Sequence, residues 1–302
     1  MPPLSGCKPR SEGSPGRPEL HQAGVAELVL GNSGVTLEGT SVAGVATWLR
    51  VPQWGLVFDI GLAADHAVRC GRLAITHAHM DHAGGLANWL ALRRMYKLGH
   101  SLVYAPAAAC EDLKAIVAIW ERLHAAQFDW TLVPMEPGQE EPLGGGRRLR
   151  AFAADHVVST NGYAVVAEVT RLRPGLEGTP RADLRQMAER GDPIAQLEDR
   201  VLLALTGDTR PTLIARVPEL RQAQFVLHET TFLDERRSPQ EARLKGHTHL
   251  QELTEQLSDL SGTFLPYHIS QMYTAAGARR TLRQKLSGAQ WARTLPLLPG
   301  AR

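Results

Sequence analysis

From Leu73 to Leu86 the chain reads LAITHAHMDHAGGL, with three histidines and an aspartate in six consecutive positions. The aliphatic run before them does not alternate with polar residues, as expected of a strand buried on both faces. Gly84 and Gly85 carry no Cβ, so the backbone can turn tightly into a helix beginning near Leu86. A loop at a strand's end, braced by a rigid sheet, can bring side chains to one point. His77, His79 and His82 supply neutral imidazoles and Asp81 a carboxylate, a donor set suited to Zn²⁺ and also to Mn²⁺ or Fe²⁺. A chance histidine-rich loop is the plainer alternative, and the strand before and helix after weigh against it.

The surrounding pattern supplies the sheet. AELVLG (26–31), ATWLRV (46–51), GLVFDIG (55–61), RLAITHA (72–78) and SLVYAP (101–106) read as strands. Residues 85–99 and 111–127 place apolar side chains at helical spacing. TLVPM (131–135), RLRAFAADH (148–156) and YAVVAEVT (163–170) are strands again. A polar, irregular stretch follows over 171–199, its middle, Arg181 to Arg190, fit for a short helix. VLLALTGDT (201–209), FVLHETTF (225–232) and GTFLPYHIS (262–270) close the set, with helices expected near Pro211–Gln222, Leu250–Leu260 and Ala275–Leu286. Strands that first meander and later alternate with helices favour an α/β architecture of two packed sheets with helices outside.

One cluster of four cannot close two metal sites, so partners must come from other strand ends. His156, Asp208 and His268 each follow an apolar run directly, where a sheet would present them to a common edge. Taken singly, such a residue is more often structural; the three together fit one scheme. His21 lies in the tail, and His66, His100 and His124 are expected in loops or at helix ends without acidic company; all four read as surface residues.

Composition sets loose bounds. The 302 residues are 43% hydrophobic and 21% charged, ordinary for a globular chain. A net charge of +2 neither demands nor excludes a nucleic-acid partner, because a local basic strip can act without a basic total. No apolar run is long enough to span a bilayer, so no membrane partner and a cytoplasmic location are expected. Cys7, Cys70 and Cys110 are scattered and odd in number, which suits a reducing compartment and no cysteine zinc site. Residues 1–24, rich in Pro, Gly, Ser and charge, are expected to form a disordered tail without an apolar signal core. Arg10 and Arg17 would suit a presequence, but Glu12, Glu19 and the prolines argue against an amphipathic helix.

These residues resemble the metallo-β-lactamase fold superfamily and, within it, the ribonuclease Z family, which trims precursor tRNA 3′ ends. The likeness covers about Gly34 to Thr274. GLVFDIG resembles the strand whose aspartate, here Asp59, braces the metal loop, and ADHVVSTNGYAVV the segment with a His and then a Gly-Tyr pair. LTGDTRPT, LHETTF, GHTHLQEL and PYHISQMY resemble four further family segments. The first motif is shared with glyoxalase II and lactonases; the later four narrow the match, and the short opening is nearer the plant-type short form.

The resemblance implies an αββα sandwich of two mixed sheets with helices on the outer faces, over a hydrolase domain at 25–302. It implies two Zn²⁺ ions, one held by His77, His79 and His156, the other by Asp81, His82 and His268, with Asp208 bridging. Such a pair makes hydroxide available near neutral pH for attack on phosphorus. Catalytic work falls to Asp81, Glu229 and His247, the glutamate orienting a histidine that protonates the leaving oxygen. The doubled His-Thr-His leaves His249 as an alternative to His247; the Gly-His pair and the spacing to His268 favour His247. Precursor tRNA is the implied partner, or else a small phosphodiester, and a homodimer is allowed. The alternatives are a hydrolase of a cyclic nucleotide, lactone or thioester on the same site, or a metal-stabilised scaffold without activity.

Three departures bear on the substrate. The N-terminal glycine loop is present only as LGNSG. Met272 stands where an arginine is usual, and Arg210 is the residue placed to compensate in part. The insert at 168–200 is shorter than the family's tRNA-gripping arm. Arg171, Arg173, Arg181, Arg185 and Arg190 nonetheless outnumber Glu177, Asp183 and Glu189 there, enough to track a phosphate backbone, or simply to form a solvated face.

Overall fold

The expected aliphatic runs pair into two sheets. The computed structural model describes residues 25–31, 34–62 and 67–298; the expected tail over 1–24 and His66 lie outside them. The first sheet takes β1 (Ala26–Leu30), β2 (Val35–Ala43), β3 (Ala46–Val51), β4 (Leu56–Phe58), β5 (Arg72–Ala74), β6 (Ser101–Pro106) and β7 (Trp130–Met135) in chain order. The second contains β8 (Glu140–Gly144), β9 (Arg147–Ala153), β10 (Asn161–Leu172), β11 (Ala195–Leu205), β12 (Phe225–Glu229) and β13 (Thr263–Tyr267). A two-residue strand, β14 (Ile269–Ser270), crosses back to pair with β2.

Each sheet is antiparallel in its first half and parallel in its second. β1 to β4 are joined antiparallel and β4 to β7 parallel. β8 to β11 are antiparallel and β11 to β13 parallel. Parallel neighbours need crossover connections, and helices supply them. Consequently β4, β5, β9, β11, β12 and β13 all finish at one edge of the sandwich.

Alternation sorts the side chains into three apolar layers. Phe58, Tyr104, Leu149, Val165, Leu203, Leu227 and Leu265 pack between the sheets. Their neighbours Val226 and Ala204 face the other way, onto Leu220, Leu253 and Leu282 of the helices over the second sheet. Leu73 and Ile75 face Trp89, Leu90 and Val117 over the first. Each fully buried Leu or Phe contributes roughly 1.5–3 kcal/mol. This is the expected αββα layering.

Local expectations fail where polarity or proline intervenes. β2 (VTLEGTSVA) was not foreseen, because Thr, Glu and Gly interrupt its apolar positions. The helix expected over 211–222 is two short pieces, Leu213–Arg216 and Pro218–Gln222, since Val217 before a proline is extended (φ −110°, ψ 108°). The helix expected over 250–260 ends at Leu253 and resumes as a 3₁₀ turn over Gln256–Asp259. The polar stretch at 171–199 is less irregular than expected: β10 runs to Leu172 and β11 starts at Ala195, framing a helix at Arg181–Glu189 with no buried residue. His100 does have acidic company, with Nδ1 2.6 Å from Asp129 Oδ1. Cys70 and Cys110 are free and buried.

Candidate metal centre

The shared edge collects the donors. β5 ends at Ala74, and the chain carries His77 and His79 into a helical turn at Met80–Ala83 that holds Asp81 and His82. The close fit of this turn excludes side chains beside it: a Cβ on Gly61 would meet the Asp81 carbonyl oxygen at 2.0 Å. His156 follows β9, Asp208 follows β11 across Gly207, and His268 follows β13 directly. Asp59 and His268, both with φ of 57°, hold left-handed backbone, strain that recurs at functional sites.

The seven candidate ligands form two groups that share one carboxylate. His77 Nε2 lies 3.1 Å from His79 Nδ1, and His156 Nε2 lies 3.4 Å from that same atom. Asp208 Oδ2 is 3.7 Å from His77 Nε2 and 3.9 Å from His156 Nε2. On the other side, His82 Nε2 and His268 Nε2 are 3.1 Å apart, and Asp81 Oδ2 is 3.7 and 3.4 Å from them. Asp208 Oδ1 is 3.5 Å from His82 Nε2 and 3.2 Å from His268 Nδ1. One oxygen of Asp208 thus serves each group.

Second partners fix which nitrogen faces inward. His82 Nδ1 donates to Asp59 Oδ2 at 2.8 Å, His77 Nδ1 to Thr76 Oγ1 at 3.0 Å, and His156 Nδ1 to the Gly246 carbonyl at 2.8 Å. Thr76 in turn donates both its amide and its hydroxyl to Asp59. Each ring therefore keeps a lone pair on its inward nitrogen, the usual support for metal-ligating histidine. Ring nitrogens brought within 3.1–3.4 Å of one another are placed to share a cation when the rings are neutral. Asp208 Oδ1 is buried and accepts no hydrogen bond. The donor set fits a divalent metal centre.

The charges follow the same logic. Burial alone would raise the Asp208 carboxyl, but His268, His82, His77 and His247 hold it below the ordinary carboxylate range. Burial also opposes charge on His82, yet Asp208, Asp59 and Asp81 push it up to about 9. Burial lowers His77 and His156.

Glu229 and His247 sit beside the shared carboxylate. Glu229 is wholly buried and saturated. Its Oε1 accepts from the Thr209 and Thr248 amides and from His247 Nδ1 (3.1, 3.0 and 3.1 Å), and its Oε2 from the amide and hydroxyl of Thr231. The His247 ring, 17% exposed, lies 5.2 Å from that of His156 and 5.6 Å from that of His268. His249 is elsewhere: its Nδ1 caps the helix at Leu250 by accepting from Gln251, and its Nε2 donates to the Asp234 carbonyl.

Other candidates are engaged differently. Arg210 is tied to Asp155 at 2.7 Å and to the Arg243 carbonyl at 3.0 Å. Met272 packs against the apolar layer, and its carbonyl accepts from Arg236, whose guanidinium lies over the Tyr273 ring at 4.1 Å. In the insert, Arg185 pairs with Glu189 and Arg190 with Asp192. Sequence reasoning did not single out Gly246, Thr231 or Thr76. The Gly-His pair was the only hint of Gly246, whose φ of +78° places a notional Cβ 2.5 Å from His156 Nδ1.

A two-sheet sandwich carrying this histidine–aspartate edge defines a metal-dependent hydrolase of the metallo-β-lactamase fold. Its backbone is similar to YhfI of Bacillus subtilis, a protein of that fold (TM-score 0.59, 12% identity, 93% of this chain and 98% of that one). It is also similar to the short form of human tRNase Z (TM-score 0.55, 17% identity, 82% and 93%). No protein-family model matches the chain. In sequence it is 30% identical over 272 residues to the chloroplastic tRNase Z TRZ2 of Arabidopsis thaliana, across 88% of this chain and 76% of that protein. The chain belongs to the tRNase Z family.

Proposed function

We propose that the chain is an endoribonuclease that removes 3′ trailers from precursor tRNA with two Zn²⁺ ions. His77, His79 and His156 hold one ion, Asp81, His82 and His268 the other, and Asp208 bridges. The observation that carries the reading is the division of the two Asp208 oxygens between the two histidine groups. Bound there, the ions supply Lewis acidity, a nucleophile near neutral pH and compensation for charge building on the phosphoryl oxygens. Asp81 keeps its position through the Gly44 amide, 2.7 Å from its Oδ2. Glu229 fixes the His247 tautomer by accepting from its Nδ1–H, so Nε2 is the atom that would deliver a proton to the departing 3′ oxygen.

Residues 25–302 act as one hydrolase domain, supported by the apolar layer that both sheets share. The hairpin at 168–200 serves as a reduced arm against the RNA backbone. Arg171 and Arg181 form no ion pair among the described residues, which leaves them available to phosphate. No described helix is long and apolar enough to cross a membrane. We place the protein in the cytoplasm, although one relative bears a chloroplastic name.

The test is incubation of the zinc-loaded protein with a 3′-extended precursor tRNA, mapping the cut to the nucleotide. A single cut after the discriminator base supports the reading. Turnover of bis(p-nitrophenyl) phosphate with no cut and no retention of tRNA would move the substrate to a small diester.

A further inference from the structure

A cleft of about 240 Å³ opens between the sheets at the ligand-bearing edge, among the ends of β6, β7 and β9 and the start of β10. Two residues of its wall, Thr160 and Asn161, touch the chain beside the metal centre. The Asn161 amide donates to the Thr76 carbonyl at 2.9 Å, one residue from His77. The Thr160 methyl stands 3.1 Å from where a Cβ on Gly207 would lie, one residue from Asp208. The cleft wall therefore abuts the segments that carry His77 and Asp208, two members of the first ligand group.

Its chemistry selects a class of occupant. Pro106, Ala107, Met135, Ala154 and Val158 give it small apolar walls, and Ser159, Thr160 and Asn161 a polar side. Among the described residues no lysine, arginine or histidine lines it, so no cationic side chain there would pair with a phosphate. Glu136 is the one charged lining residue, and its side chain forms no ion pair among the described residues. The volume falls below the roughly 300 Å³ at which drug-sized ligands begin, so it suits a single flat heterocycle. We propose that this cleft receives the nucleobase of a nucleotide flanking the scissile phosphate, with Glu136 accepting from an exocyclic amine. Adenine, cytosine and guanine are then favoured over uracil. The assignment of an RNA substrate comes from the proposed function; the cleft's preference for an amine-bearing base does not.

The experiment uses the zinc-loaded full chain, precursors with one abasic position on either side of the cut, and the variants Ala108→Trp, at the exposed mouth, and Glu136→Gln. In the wild type, one of the two abasic substitutions should lower kcat/KM by about 5- to 100-fold, the range for losing one stacked base. Ala108→Trp should cost a similar factor with intact precursor and make that abasic position indifferent. Glu136→Gln, on the exposed surface, should erase the preference for amine-bearing bases even if the tryptophan variant fails to fold. Unchanged rates for both abasic precursors, or losses that multiply between variant and substrate, overturn the proposal while leaving the endonuclease reading intact. If no precursor is cut, saturation-transfer NMR with AMP and UMP decides. Base-proton saturation for AMP that weakens in Glu136→Gln keeps the cleft as a base site on a different enzyme, and its absence in the wild type removes it.

Discussion

At the residue scale, Asp208 bears the most. Asp208→Ala leaves both histidine groups without their common oxygen donor, so both ions and all turnover are expected to go; metal analysis beside a cleavage assay checks this. Two bound ions with retained activity would refute the bridging role. His247→Ala should keep both ions but slow precursor cleavage by about 10²- to 10⁴-fold, the usual worth of a positioned acid. Hydrolysis of a p-nitrophenyl ester should slow far less, because p-nitrophenolate leaves without a proton. Equal slowing of both would move the acid role to another group. The seven candidate donors could be read from the sequence because four crowd one loop after an aliphatic strand and the other three each follow an apolar run, where strand geometry exposes residues at a sheet end. Their supporting partners could not. Gly246 meets His156 across 90 positions of chain, and Thr231 reaches both Glu229 and His268, contacts that no local pattern encodes.

At the scale of elements, the segments that carry the site are short and are held by backbone rather than by side-chain packing. Gly246 is the test. It occupies left-handed backbone and leaves no room for a methyl group against His156. Gly246→Ala is therefore expected to weaken the first ion's affinity by about 10- to 100-fold, as loss of an outer partner does, while the second group keeps its ion; a competition titration with a coloured chelator resolves the two. Strands rich in aliphatics were legible, and so was the Ala275–Lys285 helix, capped by Thr274. β2 was not, because a strand whose apolar positions are broken by Thr and Gly is fixed by its neighbours β1 and β3. The broken helix near Pro218 was legible in principle, since a proline restricts the residue before it.

At the scale of the whole molecule, the donors are split between the two sheets. Loading the ions should stabilise the sandwich by about 3 kcal/mol per site when each ion is at a hundredfold its dissociation constant. Chelation is then expected to lower the melting temperature by several degrees in calorimetry, and Zn²⁺ to restore it. The arm speaks to substrate instead: replacing residues 173–194 by a short turn should flatten the salt dependence of tRNA retention, since each lost phosphate contact removes about one unit from the logarithmic slope. An unchanged slope would assign the RNA grip elsewhere.

The Pro137–Gly138–Gln139 turn divides the chain so that four of the seven donors precede it and three follow. Neither portion alone owns all the donors, so metal bound there would act as a rivet between two plates already packed on one apolar layer. A molecule nicked at that turn should lose more melting temperature on chelation than the intact chain and regain it when zinc returns, which would make the grip between the plates, rather than catalysis, the first readout of metal supply.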